Sequence, residues 1–135
     1  MKQILKLIEF ARALKPARQD LREFHVCGIF RKNKLISLAC NTRKSHPLSI
    51  RHNYPFASKG THAELLAILR GKQENYKGYD LFVLRLDNNG KINYSKPCPF
   101  CTELIKKTEF SNVWYSVVEN YWRNLLTSEE YWGKS

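Results

Sequence analysis

The sequence predicts an α/β sandwich, a mixed central sheet covered by helices. Three observations lead there. Ile4, Leu7, Ile8, Ala11 and Leu14 recur at helical spacing. Two apolar runs, 25–30 and 35–40, flank Arg31-Lys32-Asn33-Lys34 in the manner of a β-hairpin. Beyond residue 60 the patterns alternate as helix, strand, helix, strand.

In chain order, Pro16 ends the first helix. A short turn over 17–24 can follow before the hairpin. Residues 41–60 form a long polar and aromatic loop with Pro47, Pro55 and Gly60 and no helical period. Loops of that length in a compact domain are usually functional. A helix over 62–70 is apolar nearly all round (Ala63, Leu65, Leu66, Ala67, Ile68, Leu69), so it is expected to be buried. Gly71 stands where a residue just past a helix end is expected. A strand over 80–86 ends at the turn Asp87-Asn88-Asn89-Gly90, and a helix over 97–107 opens with Pro-Cys-Pro. A strand over 113–118 follows. Residues 121–126 fit either a strand pairing back across Glu119-Asn120 or a helix, and Thr127-Ser128-Glu129-Glu130 reads as the cap of a short terminal helix.

Residues 1–135 are expected to make one domain with a continuous core. At 43% hydrophobic and 13% aromatic the chain is that of a folded globule. No apolar run approaches the ~20 residues that span a bilayer. The first 18 residues do not read as a secretory leader, because Lys2, Lys6, Glu9 and Arg12 interrupt their apolar positions. The expected setting is a reducing, cytoplasmic one, where cysteines serve as metal ligands more often than as half-cystines.

The net charge of +11 is unevenly spread. No acidic residue lies between Glu23 and Glu64, a stretch that holds Arg31, Lys32, Lys34, Arg43, Lys44, Arg51 and Lys59. Lys2, Lys6, Arg12, Lys15, Arg18 and Arg22 form a second basic group. Such charge implies an anionic, phosphate-bearing partner, or else a solvated basic surface.

The residues that carry chemistry fall in two places: Thr61-His62-Ala63-Glu64 and Pro97-Cys98-Pro99-Phe100-Cys101. Cys98 and Cys101, three apart, project from nearly the same side of a helix. In the first turn of that helix, free N–H groups and the dipole favour thiolate, the form that binds zinc. With His62 they make three ligands, and a tetrahedral zinc then keeps its fourth position for water, as catalytic sites do. A redox pair or half of a structural zinc site would also use Cys-x-x-Cys. Cys27 and Cys40 could complete a four-cysteine set, but both sit in apolar runs where cysteine is usually core. Glu64 has two readings. It is a proton carrier for zinc-activated water, or the far member of a capping box begun at Thr61.

An H-x-E followed by P-C-x-x-C is the pattern of the zinc nucleobase deaminases. The chain resembles the cytidine deaminase superfamily over about residues 25–118, and most of all its small deoxycytidylate and cytidine-type members from phages and other viruses. The resemblance rests on Asn41, His46-Pro47, His62-Ala63-Glu64, Lys96-Pro97-Cys98-Pro99-Phe100-Cys101 and Val113-Trp114-Tyr115-Ser116. It implies a three-layer sandwich with about five strands and one zinc ion per chain on His62, Cys98 and Cys101. Glu64 would be the proton shuttle. Asn41 and the Ala63 backbone would contact sugar or base, and His46 would touch substrate or order the loop. It also implies self-association and an intracellular setting, for instance the host cell of a virus.

The reaction so implied is hydrolysis of a cytosine ring to uracil on a cytidine or deoxycytidine nucleoside or nucleotide. Arg43, Lys44 and Arg51 are the candidate phosphate partners. The charge keeps a second substrate in view, cytosine in single-stranded DNA or RNA, for which Tyr54 and Phe56 offer stacking faces beside basic residues. Adenine deamination in tRNA uses the same zinc core. Outside catalysis, the alternative is a zinc-stabilised nucleic-acid-binding module, in which Glu64 would have no task.

Overall fold

The computed structural model describes residues 1–18, 23–42 and 62–133. Among them are three α-helices: α1 (Lys2–Leu14), α2 (Ala63–Gly71) and α3 (Pro99–Lys107). The strands are β1 (Phe24–Arg31), β2 (Lys34–Cys40), β3 (Asp80–Leu86), β4 (Ile92–Asn93), β5 (Asn112–Val118), β6 (Tyr121–Asn124) and β7 (Glu130–Trp132). They form one sheet in the order β2-β1-β3-β5-β6-β7, with β4 paired to the end of β3. Among the described strands only β3 and β5 run parallel, joined by the crossover that contains α3.

Period-two alternation along the strands divides the core into two layers. Cys27, Ile29, Leu81, Val83, Val113 and Tyr115 face α2 and α3 through Ala63, Ala67 and Ile105. Val26, Phe30, Phe82, Leu84, Trp114 and Trp122 face α1 through Ile4, Leu7 and Ala11. The result is the expected three-layer sandwich, with more strands than the five expected. The extra ones are β4, which follows the Asp87–Gly90 turn, and β7. A short terminal helix was expected after Thr127, but residues 130–132 pair instead with β6, through Trp122 opposite Tyr131. Tyr131 reaches the core beside α1 and receives a hydrogen bond from the Met1 amino group. That burial outweighs the capping pattern. The open choice for 121–126 resolves as strand over Tyr121–Asn124, where alternation buries Trp122 and Asn124, and a turn follows over 125–127.

Gly71 is not the residue past the end of α2. It is the last helical residue, and Lys72 takes the left-handed conformation at φ 52°. The reason for glycine is a close approach. A Cβ there would collide with the Tyr76 hydroxyl, which donates to Ile68 O at 2.5 Å in the buried layer under α2. Gly71→Ala is therefore expected to destabilise the fold by about 1–3 kcal/mol through overpacking. Urea unfolding checks this; an unchanged midpoint would show that Tyr76 moves freely.

No described helix is long and apolar enough to cross a membrane. The exposed Lys2, Lys6 and Arg12 lie on α1, over the face opposite α2 and α3, and Arg31, Lys32 and Lys34 crown the β1–β2 turn. Gln3 on α1 donates to Lys32 O at 2.9 Å, so the β1–β2 turn lies beside the start of α1, while Arg22 and the side chain of Arg18 lie outside the described residues. Arg43, Lys44, Arg51 and Lys59, with His46, Tyr54 and Phe56, lie outside the described residues.

Candidate metal centre and active site

α2 begins where β2 has ended, and α3 where the β3–β4 excursion has ended, so both helix N-termini meet at one end of the sheet. His62 is the N-cap of α2, in extended conformation at φ −72° and ψ 149°. Cys98 is the N-cap of α3, and its sulfur accepts the Cys101 N–H at 3.5 Å. Pro99 at the first helical position gives up only an N–H that the helix would not use. α2 is held down by Ser37, whose hydroxyl donates to Ala67 O at 2.7 Å.

The segment leading into Cys98 is fixed by a buried serine pair. Ser95 Oγ donates to Val83 O at 2.9 Å, and the Ser95 and Ser116 hydroxyls lie 2.7 Å apart. Ser116 N donates to Ser95 Oγ, and Ser116 Oγ donates to Asn93 O. Each buried polar group is thereby satisfied. A single serine before the motif gave no signal of this in the sequence.

His62 Nδ1 lies 3.7 Å from both Cys98 Sγ and Cys101 Sγ. All three donor atoms lie within 4.8 Å of one another. Around a tetrahedral zinc, bonds of ~2.0–2.1 Å to nitrogen and ~2.3 Å to sulfur place neighbouring donors about 3.5–3.8 Å apart. One imidazole and two sulfurs at this spacing therefore fit zinc in both donor chemistry and separation. Burial disfavours the His62 imidazolium, but the Cys98 sulfur, Glu64 and Glu23 together hold its pKa above the ordinary value. Metal uptake displaces that proton and so strengthens as pH rises.

Cys27 and Cys40 do not complete a four-cysteine set. Cys27 is fully buried under α2, where desolvation and then Glu64 push its thiol well above the ordinary range. Cys40 packs on the α1 side of the sheet. None of the four cysteines is in a disulfide.

Glu64 is 4% exposed, yet no described residue hydrogen-bonds its carboxylate. With His62 at the N-cap, Glu64 is the second helical residue. A capping box places its glutamate at the third, so the Thr61-based register would require the helix to begin one residue earlier; Thr61 itself lies outside the described residues. Ala63, the first helical residue, is fully buried.

Asn41 sits at the same end of the sheet. Its Oδ1 accepts the His25 N–H at 3.0 Å and its Nδ2 donates to Glu23 O at 2.9 Å. Its amide thus ties the end of β2 to the start of β1, with one N–H and one lone pair in reserve. Glu23 itself is a site neighbour that the sequence pattern missed. It pairs with Arg85 at 2.9 Å and raises the His62 pKa. Its position two residues ahead of His25 held no motif.

A search of curated proteins finds no match. The family model for the cytidine and deoxycytidylate deaminase zinc-binding region matches residues 1–117, which takes in the whole His62, Cys98 and Cys101 triad. By that match over most of its length, the chain belongs to the cytidine and deoxycytidylate deaminase zinc-binding family.

Proposed function

We propose that this chain hydrolyses the exocyclic amine of a cytosine ring, giving uracil and ammonia, on a cytidine or deoxycytidine nucleoside or nucleotide. His62, Cys98 and Cys101 would hold one zinc ion per chain. That ion, when bound, supplies a nucleophilic water near neutral pH. Glu64 would take one proton from the attacking water and deliver it to the ring nitrogen, then take the second proton from the new hydroxyl on the ring carbon and pass it to the amine as the C–N bond breaks and the carbonyl forms. The observation that carries this reading is the place of Glu64: a side chain 4% exposed, with no hydrogen bond from a described residue, in the first turn of α2 and two positions from His62. Among described side chains only Arg85 Nε is a fully buried polar atom without a partner, so the Glu64 oxygens keep access to water, which a proton carrier needs.

The Ala63 backbone and the reserve hydrogen-bonding capacity of Asn41 are the proposed contacts to base and sugar. His46 is a further substrate contact, and Arg43, Lys44 and Arg51 are the proposed phosphate partners. The net charge of +11 favours a second substrate, cytosine carried in single-stranded DNA or RNA. Mass spectrometry of a panel of cytidine, its mononucleotides, adenosine, single-stranded DNA, RNA and tRNA tests both. Uracil should form from at least one cytosine carrier. Inosine from tRNA alone would replace the reading with adenine deamination, and no product from any member would remove the activity.

A further inference from the structure

The sheet face that carries the metal triad extends past α3 to the β7 edge, and its residues there are aromatic. Tyr115 packs in the core with Ala63 and Ile105. Arg123 lies opposite Tyr115 on β6, so it shares that face, and its Nε donates to the Tyr121 hydroxyl at 3.0 Å. Trp132 lies opposite Tyr121 on β7. The two rings stack at 4.2 Å between centroids and 9° between planes. The Arg123 guanidinium stands over Tyr121, 5.9 Å from its centroid.

These groups also share the end of the sheet where the triad sits. Ser95 N, three residues before Cys98, donates to Ser116 O on β5, and Val118, two residues on, pairs with Tyr121. Tyr94 closes the interval between triad and stack. Its ring meets Tyr115 edge-on at 6.0 Å, and it is 49% exposed. Lys96 is exposed between Tyr94 and Cys98. With neighbouring strands ~4.8 Å apart, β7 lies roughly 14 Å across the sheet from β3, a span that the backbone of a single-stranded nucleic acid crosses in a few nucleotides.

Trp132 is 65% exposed, while Trp114 and Trp122 are 8% and 1% exposed. A partner must therefore be sought for its outer face. A second copy of this chain would bring together two bodies of like charge, each +11, whereas a polyanion is attracted by the same field. The nearby acids are Glu119, which pairs with Arg12, and Glu129 and Glu130; Glu130 accepts the Tyr121 hydroxyl at 2.8 Å and pairs with Arg123 at 3.5 Å on exposed surface. Such pairs are weak and yield to competing phosphate.

We propose that Tyr94, Arg123 and the Tyr121–Trp132 stack form a base-stacking track for single-stranded nucleic acid, running from the metal triad to the sheet edge. As a binding surface the track stands apart from the deaminase reading. Only the placement of a target base at its inner end rests on that reading.

Oligothymidylate of about 15 nucleotides is a suitable probe, since it spans a typical single-strand site and contains no cytosine to be turned over. Tryptophan fluorescence reports on Trp132, the one exposed indole, in the wild type and in Tyr94→Ala, and anisotropy of a dye-labelled oligothymidylate reads binding in the Trp132 variants. Oligothymidylate should quench the Trp132 fluorescence saturably, with affinity that falls steeply with salt. Trp132→Ala should weaken binding about tenfold and Trp132→Phe by much less, because stacking needs a ring and not an indole. Tyr94→Ala, at the other end, should weaken it several-fold with the melting temperature unchanged. Inorganic polyphosphate of matched charge should bind Trp132→Ala and wild type alike. If both alanine variants bind oligothymidylate as tightly as wild type, the track is wrong and charge alone holds the strand. Concentration-dependent self-association that Trp132→Ala abolishes, with no effect on oligothymidylate, would make this face a contact between copies instead. Neither outcome depends on whether cytosine is deaminated.

Discussion

Glu64→Gln is expected to keep its zinc and to lose turnover by about 10²–10⁴-fold, the range that a positioned proton carrier contributes. Glutamine preserves the shape of the side chain but cannot accept a proton. The substitution should leave the fold nearly intact, because no described residue hydrogen-bonds the carboxylate. The charge itself sits in the first turn of α2, where it complements the helix dipole. Its loss there costs about 0.3–1 kcal/mol. The structural alternative predicts the opposite. In a capping box, glutamine serves nearly as well as glutamate, so a variant with near-normal turnover would return Glu64 to the helix terminus. Zinc content by elemental analysis and steady-state rates on the best cytosine carrier separate the two. Retained metal with lost turnover supports the proton role. Lost metal would show instead that Glu64 helps to hold the ion.

What the sequence made legible, and what it did not, follows from how local each signal is. The helix over 2–14, the hairpin and the strand over 80–86 rest on periodicity within one segment, and they fold as read. The triad was legible because histidine and cysteine at that spacing have few other uses, and the structure brings its donor atoms together. Residues 130–132 were misread because Thr127-Ser128-Glu129-Glu130 is a good local cap. Its competitor is pairing with the nearby β6 together with burial of Tyr131 beside α1, and the α1 contact comes from 130 positions away in the chain. Gly71 was placed by a helix-end rule, while the reason for it is Tyr76, which reaches back from beyond the helix. The Ser95–Ser116 pair and the reach of Glu23 toward His62 are long-range for the same reason. Asn41 shows a further limit. A residue type suited to substrate contact also suits the closure of a hairpin, and its amide is hydrogen-bonded to the backbone of His25 and Glu23.

Cys101→Ser is expected to lower zinc occupancy from about one per chain to a small fraction and to bring turnover below detection. Cys101 is fully buried and its sulfur lies 3.7 Å from His62 Nδ1. A serine hydroxyl is shorter and stays protonated at neutral pH, whereas the ion requires a deprotonated ligand. Stability should fall with the metal. A ligand present at about 1,000 times its dissociation constant contributes about 4 kcal/mol to the folded state, so loss of zinc should lower the melting temperature by on the order of 10 °C in a chain of this size. Chelation of the wild-type protein should reproduce that shift, and added zinc should reverse it. Cys27→Ala is the informative control. It too removes a buried sulfur, but Cys27 lies outside the triad and its burial keeps the thiol protonated. That variant should lose about 1 kcal/mol from the small cavity it leaves and keep its zinc. Equal loss of metal in both variants would mean that packing under α2, and not ligation, governs the site. Full zinc occupancy in Cys101→Ser would overturn the three-ligand centre and require a different donor set.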